Sequence, residues 1–267
     1  MKSRFAAIAI FLPAMGFCFP PGSPMSEFGP SQVALGAFFD NSGQDLFEDA
    51  YPSVLNATGL SLDYAPWSFI QMGIFGGGGE LDVGVPDNLT SDSSLHAYNS
   101  DFNLYGGASG KLATSRFLMN TTRAVGFGSL AYLNSSDELG NGRSVLIYNT
   151  GATIQLMLWD KINFVLGGEF YAWEGTQKTS ATKDVPFGLS APSGTADYIR
   201  GIVGVEYFFK GRNRPFVSVA FRPTGNIGWH DDLGLRNASI SVSLGAVATL
   251  GKSKINSGED EPSMIDQ

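Results

Sequence analysis

The sequence predicts an all-β fold, an antiparallel up-and-down transmembrane β-barrel of about ten strands. In several segments apolar and polar residues alternate strictly, which is the period of a strand rather than of a helix. Short and long polar links alternate between these segments. The 267 residues are only 16% charged and 12% aromatic, include 34 Gly, and have a mean hydropathy of +0.02. Such averages are typical of barrels, in which lipid-facing and lumen-facing residues cancel. Eight strands are the alternative if weak N-terminal segments are misassigned.

The two ends of the chain are predicted to lie outside the barrel. Residues 1–18 have a positively charged start, an apolar core and small residues at the cleavage spacing, and therefore predict a signal peptide. Residues 19–30 hold four prolines and predict a Pro-rich connector. The barrel is expected over residues 31–250, and residues 251–267 form a polar tail that we expect to be disordered. Because no apolar run reaches the ~18 residues of a spanning helix, a membrane location has to come from strands.

Charge and residue usage exclude several functions. The net charge of −8, without a Lys/Arg cluster, argues against a nucleic-acid partner. The one cysteine, Cys18, falls in the predicted leader, so we expect no disulfide framework in the mature chain. Lipidation of Cys18 is the alternative, which the large Phe17 before it disfavours. With His96 and His230 as the only histidines, catalytic options are few. No metal and no cofactor are expected.

Strands are assigned from the alternation. The clearest strand covers residues 238–250, where Ile240 and Leu244 lie on a uniformly apolar face and Ser239 and Ser243 lie on the other face. It exceeds the ~9–11 residues that a tilted strand needs to cross a bilayer. The other well-marked strands are 145–158, 163–173, 198–209 and 215–222, and the weaker ones are 31–39, 57–64, 68–78, 100–113 and 123–133.

The links between strands divide into two groups. Short turns are expected at 65–67, near 120–122, at 159–161 and at 211–214. Long links are expected at 40–56, 79–99, 134–143, 174–195 and 223–237. Ten antiparallel strands with both chain ends on one side need four turns there and five loops opposite. Transmembrane barrels have this asymmetry, with short periplasmic turns and longer outer loops. A secreted soluble β-sandwich, the alternative fold, has no reason to show it.

In this organisation residues 31–250 resemble the small outer-membrane β-barrel proteins of bacteria with two membranes, a porin-like family. The resemblance implies a location in the bacterial outer membrane, contact with outer-membrane lipid, and the barrel assembly machinery as a partner. Members of the family carry an assembly signal in the last strand, whose spacing Ser243, Gly245, Ala248 and Leu250 match. Family members usually end this signal on an aromatic residue, where this chain has Leu250 and continues into a tail.

Charged residues are expected on the lumen side of the strands. An Arg or Lys facing lipid at mid-depth would cost about 2–4 kcal/mol. We expect an ion network that fills the lumen, in which Arg200 and Arg222 meet Glu169 or Glu206, since an unpaired buried charge is costly. The alternative is a polar lining that selects solutes. Ten strands enclose a narrow bore, so no wide pore is expected. The lumen-facing charges are Asp63, Lys111, Glu169, Arg200, Glu206 and Arg222.

The expected function is non-enzymatic: a structural, surface-display or narrow-pore role, with small solutes or surface ligands as partners. One alternative is an outer-membrane hydrolase that resembles the omptin proteases, in which an acidic pair activates water opposite a His–Asp pair. Here those residues would be Glu80, Asp82, His230 and Asp232, although one acid is a Glu and the His precedes its Asp. The other alternative is a secreted β-sandwich that acts as a binding module.

Overall fold

The computed structural model describes residues 30–46, 51–84, 98–138, 140–179, 193–210, 214–223 and 239–250. The predicted signal peptide, residues 19–29 of the connector and the polar tail lie outside the described residues. Every regular element in the described part is a β-strand. Among these residues, none forms a helix with the length and apolar character needed to cross a membrane.

The strands form a closed antiparallel barrel. They are β1 Gln32–Leu46, β2 Tyr51–Trp67, β3 Ile70–Val83, β4 Tyr98–Asn99, β5 Asn103–Ala113, β6 Thr122–Ser136, β7 Gly142–Leu158, β8 Ile162–Thr179, β9 Ser193–Phe208, β10 Arg214–Arg222 and β11 Ser239–Thr249. Each long strand pairs with the next, and β1 pairs with β11 to close the ring. The two-residue β4 pairs with β3 ahead of β5, so the ring has ten positions. The predicted ten-stranded all-β barrel is confirmed.

The period-two pattern separates an outer face from an inner face. On β11, Ser239 and Ser243 are buried inside while Ile240 and Leu244 are exposed outside. Each of the ten long strands contributes to a belt of exposed apolar side chains, for example Leu35, Leu62, Ile74, Leu112, Leu130, Ile154, Leu166, Val203, Val219 and Leu244. Exposed apolar side chains on every long strand are unfavourable in water and favourable in a bilayer.

The two ends of the barrel differ. Gln32 pairs with both Ala65 and Thr249, so the first and last strands meet at the end that also holds the short turns, which we call the turn end. The opposite end is called the loop end. The turn at 159–161 is confirmed, since β7 ends at Leu158 and β8 begins at Ile162.

Other predicted links are wrong in position or length. Residues 65–67 belong to β2, and the turn lies at residues 68–69. The links predicted at 40–56 and 134–143 shrink to residues 47–50 and 137–141. Strands here continue beyond the alternating apolar segments because backbone pairing, as between Asn41 and Asn56, does not need an apolar face.

The interior is packed with apolar clusters at several depths. Near the turn end lie Ala34, Met157, Phe208, Phe216 and Val247. Phe127, Val165, Ile202 and Ala220 form a second cluster. A larger cluster fills the loop end and contains Phe38, Leu55, Ala57, Phe75, Leu81, Val83, Tyr98, Tyr105, Ala131, Leu133, Val145, Ile147 and Tyr171. The core of this barrel therefore lies inside the ring of strands, as expected for a narrow bore.

Candidate functional site in the barrel interior

The six charged side chains singled out from the sequence all lie inside the barrel. None is more than 5% exposed: Asp63, Lys111, Glu169, Arg200, Glu206 and Arg222. Together with Asp40, they divide into two groups at different depths. The loop-end cluster contains Asp40, Glu169, Arg200 and Arg222, and the turn-end cluster contains Asp63, Lys111 and Glu206.

The loop-end cluster is built around the pair Arg200 and Glu169, which stand directly opposite each other on β9 and β8. Arg200 Nη2 lies 2.8 Å from Glu169 Oε1, and Arg200 Nε donates to the same oxygen at 2.9 Å. The guanidinium also donates to Ser42 Oγ at 2.9 Å and stacks 3.7 Å from the ring centroid of Tyr171. Both charges are thus held by more than one partner, which offsets part of their desolvation cost.

Arg222 joins this pair to β1. Its Nε lies 3.6 Å from Glu169 Oε1, and its Nη1 lies 3.4 Å from Asp40 Oδ1. Ser239 Oγ accepts from Arg222 Nη1 at 3.2 Å and donates to Asp40 Oδ1 at 3.3 Å. Sequence reasoning missed Asp40 because the first strand was predicted to end at residue 39. Its alternation with Phe38 and Ser42 would have placed it on the inner face.

The turn-end cluster has a different composition. Lys111 interacts electrostatically with both Asp63 and Glu206. Asn163 Nδ2 donates to Glu206 Oε2 at 2.8 Å. A Cβ on Gly73 would lie 2.4 Å from Asp63 Oδ1, so the absence of a side chain there makes room for the carboxylate. The register places Glu206 nearer the turn end, where Lys111 is its cationic neighbour. Glu206 therefore does not pair with Arg200 or Arg222.

Of the four residues of the hydrolase alternative, the structure describes only the acidic pair. Glu80 and Asp82 lie near the loop end of β3, on the outer face that alternates with the buried Leu81 and Val83. His230 and Asp232 lie outside the described residues. Within the described ranges no group of three or more His, Cys, Asp or Glu side chains could hold a metal ion.

The residues of the expected assembly signal lie along β11 and just after it. Ser243 is buried inside the barrel, and Gly245 faces the same way. A Cβ on Gly245 would lie 2.2 Å from the carbonyl oxygen of Leu35, so this position requires glycine. Leu250 is 59% exposed at the turn end, where its backbone N–H donates to the carbonyl oxygen of Ser31 at 2.7 Å.

No protein-family model and no curated protein matches this sequence. Solved structures with similar architecture include the translocator domain of the autotransporter NalP from Neisseria meningitidis, at 10% identity and a TM-score of 0.49, over 92% of this chain and 96% of that one. They also include the outer membrane protease OmpT from Escherichia coli, at 10% identity and a TM-score of 0.34, over 85% of this chain and 99% of that one.

The OmpT neighbour corrects one expectation from the sequence. From the sequence we expected a protein that is not an enzyme. The outer membrane protease OmpT stands among the solved structures with similar architecture and contradicts that expectation. The likeness is too distant to carry any activity over to this chain.

The closed ring and the distribution of side chains identify the class of protein. All ten long strands expose apolar side chains on the outside, and the charged side chains of the two clusters are enclosed on the inside. Closure satisfies the backbone hydrogen bonds that lipid cannot satisfy. The chain therefore has the fold and the apolar outer wall of a small outer-membrane β-barrel.

Proposed function

We propose that this barrel is a closed membrane anchor that displays its loop-end segments at the cell surface. The observation that carries the proposal is the filled lumen. Apolar clusters near both ends and the two charged clusters occupy the bore with buried side chains. A barrel filled in this way is suited to hold segments in place rather than to pass solutes.

The lengths of the links support the direction of display. At the turn end, strands are joined by short links such as residues 68–69 and 159–161. At the loop end, the chain between β3 and β4, between β8 and β9 and between β10 and β11 is much longer. Longer links are the extracellular ones in barrels of this kind. Surface ligands would therefore meet these three links.

Labelling of single cysteines on intact cells tests this orientation. Ser91→Cys and Ser190→Cys lie in two of the long links, and Asp160→Cys in an exposed turn is the matched control. A maleimide carried on a large polymer should label the first two in intact cells and the third only after the outer membrane is permeabilised. The unmodified chain measures the background from Cys18. Labelling of Asp160→Cys alone in intact cells would reverse the proposed orientation.

Conductance separates the closed anchor from the second candidate, a narrow pore. The polar side chains of the two charged clusters favour that candidate, since they give the bore a polar lining at two depths. The anchor predicts no steady current when the purified barrel is inserted in a planar bilayer. A steady, ion-selective current that changes in Glu169→Gln would favour the pore instead.

We also propose that the barrel assembly machinery recognises the end of β11. The outward position of Ala248 and the exposure of Leu250 support this, since both are accessible from outside the ring. Leu250→Asn should lower the amount of heat-modifiable barrel in the outer membrane. The same change at the exposed Leu104, away from β11, is the control, and equal losses in the two variants would contradict the proposal.

A further inference from the structure

A groove interrupts the apolar outer wall where β5, β6, β7 and β8 lie side by side. Its volume is about 350 Å³. The floor consists of small residues, Ala124, Gly126 and Ala152, and the sides are the exposed side chains of Leu112, Ile154 and Leu166. The groove lies in the half of the wall nearer the turn end, since Thr114, which leads into the β5–β6 turn, also lines it.

Strand register explains why the wall is hollow here. Leu112 pairs with Gly126 and Gly126 with Ala152, so small residues meet in one row across neighbouring strands. In the adjacent row Ala124 pairs with Ile154, which in turn pairs with Leu166. A Cβ on Gly126 would meet only two carbonyl oxygens at 4.0 Å, so the space above it is open.

Cationic side chains lie at the turn end, where the groove begins. Arg116 lies in the β5–β6 turn, two residues after Thr114, and Lys161 lies in the neighbouring β7–β8 turn. The β5–β6 turn contacts the end of β7, just before the β7–β8 turn, since the backbone N–H of Met157 donates to the carbonyl oxygen of Thr121 at 2.8 Å. Among the described residues neither cation forms an ion pair, and Arg116 donates only to the carbonyl oxygen of Asn120 at 3.4 Å. The adjacent Trp159 is 79% exposed, which is typical of a side chain at the membrane–water interface.

We propose that this groove binds one acyl chain of an anionic glycerophospholipid, whose phosphate lies at Arg116 and Lys161. An apolar hollow within the lipid belt fits an acyl chain, and two cations at its interfacial end fit a negatively charged headgroup. A second copy of this barrel suits the groove less well. A two-fold contact would bring the same cations of both copies together, and like charges repel.

The test uses the full barrel, purified in a neutral detergent and titrated with phosphatidylglycerol or phosphatidylcholine, with bound lipid counted by native mass spectrometry. We expect saturable binding of one phosphatidylglycerol molecule per barrel. Gly126→Leu should weaken its binding about tenfold, because the new side chain displaces at least two methylenes of the acyl chain. Arg116→Gln should weaken the binding of phosphatidylglycerol about fivefold, and should leave the weaker binding of phosphatidylcholine unchanged.

The control is Gly76→Leu, which adds the same side chain to another outward-facing glycine with open space, 3.8 Å from the nearest atom, on a different part of the wall. It should bind phosphatidylglycerol as the unmodified barrel does. All variants are first checked for heat modifiability, which reports a closed barrel. Equal binding by the Gly126→Leu and Gly76→Leu variants, non-saturable binding, or a dimer that Gly126→Leu disrupts would each overturn the proposal.

Discussion

The two charged clusters inside the barrel are built on different principles. The loop-end cluster is balanced, with two arginines and two carboxylates in direct contact. The turn-end cluster has one lysine that interacts with two carboxylates, and the amide of Asn163 donates to one of them. The loop-end cluster joins β1, β8, β9 and β10 through ion pairs. The turn-end cluster depends on charge interactions with a single lysine and on an uncharged amide, so the two clusters should respond differently to loss of one member.

The largest effect is expected at the centre of the loop-end cluster. Glu169→Leu leaves Arg200 and Arg222 buried without their shared carboxylate, which should lower the free energy of unfolding by about 3–5 kcal/mol. Urea unfolding in lipid vesicles, followed by the gel mobility of unheated samples, measures this. Glu138→Leu, at an exposed position, is the control and should change stability little. A loss below ~1 kcal/mol would mean that the cluster does not brace the barrel.

A smaller effect is expected in the turn-end cluster. Asn163→Leu removes the amide that donates to Glu206 at 2.8 Å, and hydrogen bonds to charged groups contribute about 1.5–3 kcal/mol. The same unfolding assay applies, with the exposed Asn134→Leu on β6 as the control. If the loss equals that of Glu169→Leu, the turn-end cluster is as rigidly organised as the loop-end cluster.

The smallest effect is expected at the edge of the loop-end cluster. Ser239→Ala removes the hydroxyl between Arg222 and Asp40, whose bonds of 3.2 and 3.3 Å are long, and should cost about 0.5–1.5 kcal/mol. Ser241→Ala, two residues along the same inner face, is the matched control. Indistinguishable unfolding midpoints for the two variants would show that the serine does not contribute to the cluster.

The strands and their two faces could be predicted because a strand alternates its side chains with a period of two. Ser239 and Ile240 show this most simply, since neighbours in the sequence lie on opposite sides of the wall. The ends of strands were less predictable. On β1 both faces are polar from Asp40 to Ser42, so the amphipathic pattern stops there although the backbone pairing with β2 continues. The inner position of Asp40, and with it one carboxylate of the loop-end cluster, was missed for that reason.

The sequence by itself determined the fold class, the approximate strands and which charges avoid lipid, because these follow from local alternation and from the cost of a charge in a bilayer. Only the tertiary structure decided which charges meet. Pairing of Arg200 with Glu169, and of Lys111 rather than an arginine with Glu206, depends on the register between strands that are far apart in the chain. The same holds for the groove over Gly126, since a hollow in the wall forms only where small residues of adjacent strands fall in one row.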